Sequence, residues 1–274
     1  APAIAFLCKY LSLKGSADEI VGVFPADQLI EKEDEFIKAV SLAVKEAEAG
    51  HIVTLGIQPT YAATGFGYIQ TRPEVSMEES GFESFKVQKF HEKPTLKKAT
   101  QFFQNKTYHW NAGIFVFCVQ NMIEIMKEKA PDLWSVADLL KPDLSNLVDV
   151  YNDFRNISID YALIEELDEN SLRCVPCDIG WNDVGSWDAM AEMEGLHKPA
   201  LSRVDSDSEN NFLHPLPDKT YAFVGVDDMI VVDTQDALLI TKKGKSQDVK
   251  NVVEKLKVIQ PQVVNDHIFE ERPW

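Results

Sequence analysis

The sequence predicts an α/β fold: a mostly parallel sheet with helices on both faces, followed by a small β-rich C-terminal unit. Three observations carry this. Residues 19–57 read as strand, helix, strand. The runs "WNAGIFVF" (110–117) and "SLRCVPCDI" (171–179) have the length and apolar continuity of buried strands. Beyond residue 198 the helical period gives way to turn residues and short β-like runs.

The opening "APAIAFLCKYLSLKG" places Ile4, Leu7 and Leu11 on one face and predicts a buried helix. "EIVGVFPADQLI" is an apolar run that stops at Pro25 and an acid, so a buried strand delivers Asp27 to its carboxyl end. Lys32 to Ala49 repeats at helical spacing, with Phe36, Ile37, Val40, Val44 and Ala47 on one face and Gly50 as the stop. "HIVTLGI" (51–57) is the second strand, and the turn "QPTYAATGFG" (58–67) follows. Such a unit predicts parallel strands joined by a right-handed crossover. Ligands gather at the carboxyl ends of such strands, which is where Asp27 and the 58–67 turn stand.

"FKVQKFHEKP" (85–94) alternates like a strand and ends at Pro94. Lys97 to Gln104 predicts a short helix, and "VQNMIEIMKEKAP" a longer one ended by Pro131. Residues 131–157 are mixed and helical in pieces. "ISIDYALIEELDEN" (157–170) starts a helix that Ser158 or Asp160 would cap. Further on, "TYAFVGV", "MIVVDT" and "DALLIT" read as strands, and a helix over 246–257 carries Val249, Val252, Val253 and Leu256 on one face. The expected organisation is an α/β domain over 1–198, a β-rich unit over 199–258 closed by that helix, and a linker over 259–274.

The 274 residues suffice for one large or two modest cores, and 45% hydrophobic with 26% charged residues is ordinary globular composition. A net charge of −17 argues against a nucleic-acid partner, though carboxylates can still hold Mg²⁺ and, through it, small phosphates. No apolar run approaches a membrane span, and the opening lacks a signal peptide's basic start and cleavage site. Four scattered cysteines (Cys8, Cys118, Cys174, Cys177) do not make a disulfide scaffold and suit a reducing cytoplasm. "CVPC" (174–177) has the spacing of half a zinc site, with no second pair or neighbouring histidine to complete it. The histidines at 51, 91, 109, 197, 214 and 267 form no cluster at ligand spacing.

Several residues have both an ordinary and a chemical reading. In "IGWNDVGSW" (179–187) Asp183 lies among Trp181, Gly185 and Trp187; it is a loop aspartate beside core rings, or a metal or substrate ligand in a dry site. Asp27 is a helix cap or a ligand. Glu92 and Lys93 are a solvated surface ion pair or part of a ligand site, and Asn111 is a buried amide or a reader of hydroxyls. Gly65 and Gly67 make a plain turn or let backbone amides approach a ligand. Asp160 and Glu165 decorate a helix or line a pocket. The residues alone leave each pair open.

The strings "FPADQLI", "GIQPTYAATGFGYI", "FHEKP", "WNAGIF", "ISIDYALIEE" and "GWNDVGSW", in this order, closely resemble the mannose-1-phosphate guanylyltransferases of the wider sugar-nucleotidyltransferase family. "VGVDDMIVVDTQDALLI" and "QDVKNVVEKL" resemble the C-terminal segment of that family, and the likeness covers residues 1–258. The resemblance implies a Rossmann-like nucleotidyltransferase sheet and formation of GDP-mannose and pyrophosphate from GTP and mannose-1-phosphate with Mg²⁺. It implies Asp27 and Asp183 as metal ligands and catalytic residues, with Lys93 at the sugar phosphate. Gly65, Gly67, Glu92, Lys93, Asn111 and Asp160 would bind the sugar phosphate, and a homodimer is expected. Another nucleotide or hexose, or a non-catalytic sugar-phosphate-binding protein of the same fold, are the alternatives. Two departures matter. Gln28 stands where the family has histidine, so no acid–base role is expected of it. The family's glycine-rich G-x-G-T-R loop occurs nowhere in the sequence, and "APAIAF" corresponds to a point downstream of it. The chain therefore reads as an interior portion of a longer enzyme, expected to be poorly stable and nearly inactive alone. "NDHIFEERPW" (265–274) resembles a joint to a phosphomannose isomerase domain.

Overall fold

The computed structural model describes residues 1–193 and 203–265. His197 and His267, and most of the expected linker, lie outside the described residues. The chain divides into two compact units, Ala1–Trp181 and Asn182–Trp274.

In the first unit the elements run α1 (Pro2–Leu13), β1 (Ile20–Val23), β2 (Leu29–Ile30), α2 (Glu33–Glu48), β3 (Ile52–Ile57), β4 (Tyr68–Glu79) and β5 (Phe82–His91). They continue as α3 (Leu96–Phe103), β6 (Tyr108–Cys118), α4 (Val119–Lys129), α5 (Pro131–Ala137), α6 (Leu147–Asp153), α7 (Ile159–Ala162) and β7 (Leu172–Cys177). A six-stranded sheet has the order β1-β6-β3-β7-β5-β4. β1, β3, β7 and β4 run one way, and β6 and β5 run the other. The expected β1–α2–β3 crossover is present, but β6 lies between its two strands and pairs antiparallel with both. Apolar period reports burial and not direction, so a returning strand in the middle leaves no trace in the pattern.

Side chains alternate across the sheet, and helices cover both faces. Phe115 and Phe117 of β6 join Ile52, Leu172 and Cys174 in a core with α1, α4 and α5. Ile114 and Val116 face the other way, with Val53, Leu55 and Val175, against Ala39, Leu42, Ala43 and Ala47 of α2. The β4–β5 hairpin, of which only the second strand was expected, turns at Ser80 and Gly81 with φ of 52° and 85°. Positive φ at both central residues suits the right-handed twist of a two-residue hairpin.

A buried polar network ties α2 to the sheet. Glu46, 1% exposed, accepts from Ser84 Oγ and lies 2.8 Å from His51 Nδ1. Arg173 Nη2 lies 2.8 Å from His51 Nε2. A guanidinium only donates, so Nε2 accepts and the ring proton of the neutral imidazole is on Nδ1.

The second unit contains β8 (Trp181–Asn182, entering from the first unit), α8 (Trp187–Glu192), β9 (Arg203–Ser206), β10 (Phe212–His214), β11 (Tyr221–Val224), β12 (Met229–Asp233) and β13 (Leu238–Lys242). α9 (Val249–Ile259) and α10 (Pro261–Asn265) follow. β9 and β10 arise within the turn-rich stretch and pair parallel with β11 and β12. Phe212, Ile230 and Val232 form its small core, against which Trp187 packs. α9 buries none of its residues fully, and Val252 is 51% exposed.

His109 on β6 is buried, and burial holds its imidazole down at about 4. The unfolded chain takes up that proton near pH 6.5, so stability is complete above 6.5 and falls as pH drops toward 4. This group should contribute roughly 3 kcal/mol of loss across that window. Urea unfolding of wild type and His109→Leu between pH 4 and 7 checks this, and equal pH slopes would refute it.

Candidate functional site

The site grows from an irregularity between β3 and β6. Thr54 pairs with Phe115 and Gly56 with Asn111, so two steps on β3 are matched by four on β6. The extra length is taken up at Gly113, where φ is +72°, a conformation open to glycine. Bulges of this kind re-aim side chains beside functional sites. Here the bulge turns Asn111 onto its neighbours. Its Oδ1 accepts from Gly113 N at 3.1 Å and from Thr54 Oγ1 at 2.8 Å. A backbone N–H only donates, which fixes the amide orientation, and Nδ2 donates to Asp160 Oδ1 at 3.0 Å.

Asp160 sits on α7, a single turn capped by Ser158, whose Oγ accepts from Tyr161 N at 3.3 Å. The helix expected to start in this stretch is this single turn, and a 3₁₀ turn at Ile164–Glu166 follows. Burial, then the nearby charge of Glu92, pushes the Asp160 carboxyl above its ordinary value.

Glu92 and Lys93 would face opposite ways on a continuing strand. The structure resolves this: β5 ends at His91, and Lys93 adopts a left-handed φ of +40°. The turn lets Lys93 Nζ reach Glu92 Oε1 at 2.8 Å. The same bond raises the ammonium pKa and keeps Lys93 charged. Glu92 N donates to Glu165 Oε1 at 3.0 Å, which ties this corner to the segment after α7. Gly67 packs beneath it: an added Cβ would come within 2.8 Å of both Glu92 Oε2 and the Phe90 ring. Gly67 O also accepts from Asn111 N at 2.9 Å. At Gly65 a Cβ would meet nothing within 4 Å. One corner of the first unit thus holds Gly67, Glu92, Lys93, Asn111 and Asp160.

Rings stand nearby. Phe66 meets Trp110 and Trp181 edge-on at 5.1 and 5.5 Å. Trp181 Nε1 donates to Gln28 Oε1 at 2.9 Å, and Gln28 Nε2 donates to Ala112 O at 2.7 Å. Gln28 is therefore a brace between Trp181 and the bulged part of β6. The sequence singled out Gln28 only as a departure from the family's histidine, without this bracing role, and did not single out Thr54.

Asp27 is exposed on the turn just past the carboxyl end of β1. Asp183 belongs to the second unit. There a Cβ at Gly185 would come within 2.9 Å of Asp183 Oδ2, so glycine preserves the place of the carboxylate. Val184 N donates to Asn182 Oδ1 at 2.9 Å, and Ser186 caps α8 through Ala189 N. Asp27 in the first unit and Asp183 in the second are each hard oxygen donors of the kind Mg²⁺ takes. Among the described residues no group of three or more His, Cys, Asp or Glu is placed to hold a metal by itself. In "CVPC", Cys174 and Cys177 face opposite cores, and burial pushes the Cys177 thiol up to about 12.

Residues 1–197 match the nucleotidyl transferase family model. The chain belongs to that family. Residues 203–256 match a second model, the MannoseP isomerase/GMP-like beta-helix domain, in keeping with the parallel pairings of β9 through β12. Mannose-1-phosphate guanylyltransferase 2 of Escherichia coli O157:H7 is 34% identical over 293 residues, covering 100% of this chain and 59% of that protein. The alginate biosynthesis protein AlgA of Pseudomonas aeruginosa is 33% identical, covering 100% of this chain and 58% of that one. The chain thus spans about three-fifths of the length of these curated relatives. A crystal structure described as mannose-1-phosphate geranyltransferase from Thermus thermophilus superposes with a TM-score of 0.77 at 28% identity, over 92% of this chain and 73% of that one. Among the described residues no helix is long and apolar enough to cross a membrane.

The packing at Gly67 makes a contrast that can be measured. Gly67→Ala should destabilise the protein by about 1–3 kcal/mol, as overpacking does. Gly65→Ala should change stability by less than about 0.5 kcal/mol. Urea unfolding of the two variants decides it, and equal effects would refute the close packing at Gly67.

Proposed function

We propose that the protein transfers a guanylyl group from GTP to mannose-1-phosphate, giving GDP-mannose and pyrophosphate. The observation that carries this reading is the corner at Glu92 and Lys93. A lysine kept charged stands beside a mostly buried carboxylate, an ordered amide and a second carboxylate. A cation with donors and acceptors of hydroxyls suits a phosphorylated polyol. The names of the relatives support the choice of sugar and base, and membership of the nucleotidyl transferase family supports the transfer of a nucleotidyl group.

In this reading Lys93 holds the phosphate of mannose-1-phosphate, and Glu92, Asn111 and Asp160 hold its hydroxyls. Backbone at Gly65 and Gly67 comes close to the sugar. A phosphate oxygen of the sugar attacks the α-phosphorus of GTP in line. The new P–O bond forms as the bond to the bridging α–β oxygen breaks, and the pair of electrons leaves with pyrophosphate. Two polyanions must approach, so positioning and neutralisation of charge supply most of the acceleration. Asp27 and Asp183 would hold Mg²⁺, which when bound neutralises phosphate oxygens. Trp181 and Phe66, packed on Trp110 and Gln28 in the first unit, would limit water there. The four free cysteines suit a cytoplasmic setting for this chemistry, and the resemblance suggests a homodimer.

The test uses the protein expressed from its complete reading frame. Pyrophosphate release is followed with GTP, mannose-1-phosphate and Mg²⁺, and repeated with Asp183→Ala and Lys93→Ala. Asp183→Ala should lower kcat at least about 100-fold, as loss of a group acting on the transition state does. Lys93→Ala should raise KM for mannose-1-phosphate about tenfold or more, with KM for GTP within about twofold. Release with a different nucleotide or hexose phosphate, and none with this pair, would move the specificity. No release with any pair would leave a sugar-phosphate-binding protein of the same fold.

A further inference from the structure

We infer that Thr54 is a positioning residue of this site, acting through Asn111 to set a donor–acceptor pair for one sugar hydroxyl. The inference rests on the sugar-phosphate reading of the corner at Glu92 and Lys93. Thr54 is fully buried on β3, a strand whose every residue is buried and whose other side chains are apolar or absent. A hydroxyl there needs a partner, and valine would fill the same shape without that need. The partner is Asn111 Oδ1, reached at 2.8 Å across the register change.

This contact changes what Asn111 offers. A free asparagine amide both donates and accepts. Here the two lone pairs of Oδ1 are taken by Thr54 Oγ1 and Gly113 N. One Nδ2 hydrogen goes to Asp160 Oδ1, and the other is left for a ligand. Asp160 retains its second oxygen as an acceptor. A hydroxyl at this place would accept from Asn111 and donate to Asp160. A group that only accepts would leave Asp160 unsatisfied, and a hydrogen in place of the hydroxyl would leave both partners so. Sites built to hydrogen-bond a hydroxyl reject analogues lacking it more strongly than apolar pockets reject size. Without Thr54, a ligand hydroxyl could donate to Oδ1 instead, and the reading of that hydroxyl would lose its direction.

Thr54→Val keeps the shape and removes the hydroxyl, and Thr54→Ser keeps the hydroxyl. Thr54→Ala, set against Thr54→Ser, serves as a second pair should the valine variant fold poorly. Initial rates with GTP and mannose-1-phosphate varied separately give the decisive split. Thr54→Val should raise KM for the sugar phosphate about tenfold, while KM for GTP stays within about twofold. Thr54→Ser should recover the sugar KM to within about threefold of wild type. Equal changes in both KM values, or no recovery by serine, would point to a merely structural threonine and overturn the inference. A second readout needs no turnover: the side-chain amide signals of Asn111 in ¹⁵N–¹H spectra should shift in Thr54→Val and return in Thr54→Ser. Unmoved signals would overturn the positioning role even in an active enzyme. A wild type without transferase activity whose Asn111 signals still respond would refute the sugar reading and leave the Thr54–Asn111 contact standing.

Discussion

The register change between β3 and β6 is the constraint on which the candidate site depends. β6 lies in the middle of the sheet, paired on both edges and packed on both faces, so its course cannot shift without disturbing both cores. Within that fixed course, the left-handed Gly113 produces two extra residues and turns Asn111 out of the regular alternation. Thr54, Gly67 O and Asp160 then hold Asn111 through four hydrogen bonds that also involve Gly113. Gln28 braces the same stretch from the loop after β1 by its bond to Ala112 O. The rigid part of the molecule thus sets the polar part, which is how precise sites are built on strands rather than on loops.

The corner at Lys93 shows how backbone strain can serve such a site. A left-handed lysine is disfavoured by contact of its Cβ with the backbone. Its ion pair with Glu92 and the bond from Glu92 N to Glu165 offset that cost. Proline follows at position 94 and disfavours the right-handed helical region for Lys93, so the chain cannot relax into a helical turn there. Sequence, strain and charge agree at one point.

Much of the fold was legible because burial leaves a pattern. The apolar runs of β3, β6 and β7 fall where the sequence places them. α2 spans the expected residues but buries Ala39, Leu42, Ala43 and Ala47, while Ile37 of the expected face is 61% exposed. β1 forms as expected but at the sheet edge, with none of its residues fully buried. Direction was not legible, since Val and Ile read alike in parallel and antiparallel strands. β4 escaped notice because its distal half is exposed and rich in glutamate, although Ser80–Gly81 carried a turn signal. The site was legible in part. "EKP" and "WNAGIF" drew attention to Glu92, Lys93 and Asn111, but the puzzle of two adjacent residues on opposite faces could be solved only by a backbone angle. Thr54 was hidden because threonine in a β-branched run looks like one more strand former, and its significance lies in the hydroxyl rather than the period. The bracing role of Gln28 was hidden for a different reason: its partners, Trp181 and Ala112, are distant in sequence.

The thiols have a practical consequence. Cys8, Cys174 and Cys177 are buried, and burial raises all three well above ordinary thiols, so almost none is present as the reactive thiolate at neutral pH. Cys118 is half-buried and points its sulfur at Ala17 O. Maleimide dyes should therefore pass over most of the native cysteines. A cysteine placed on the exposed β4–β5 hairpin, as in Glu78→Cys, would be the favoured attachment point for a fluorophore or spin label.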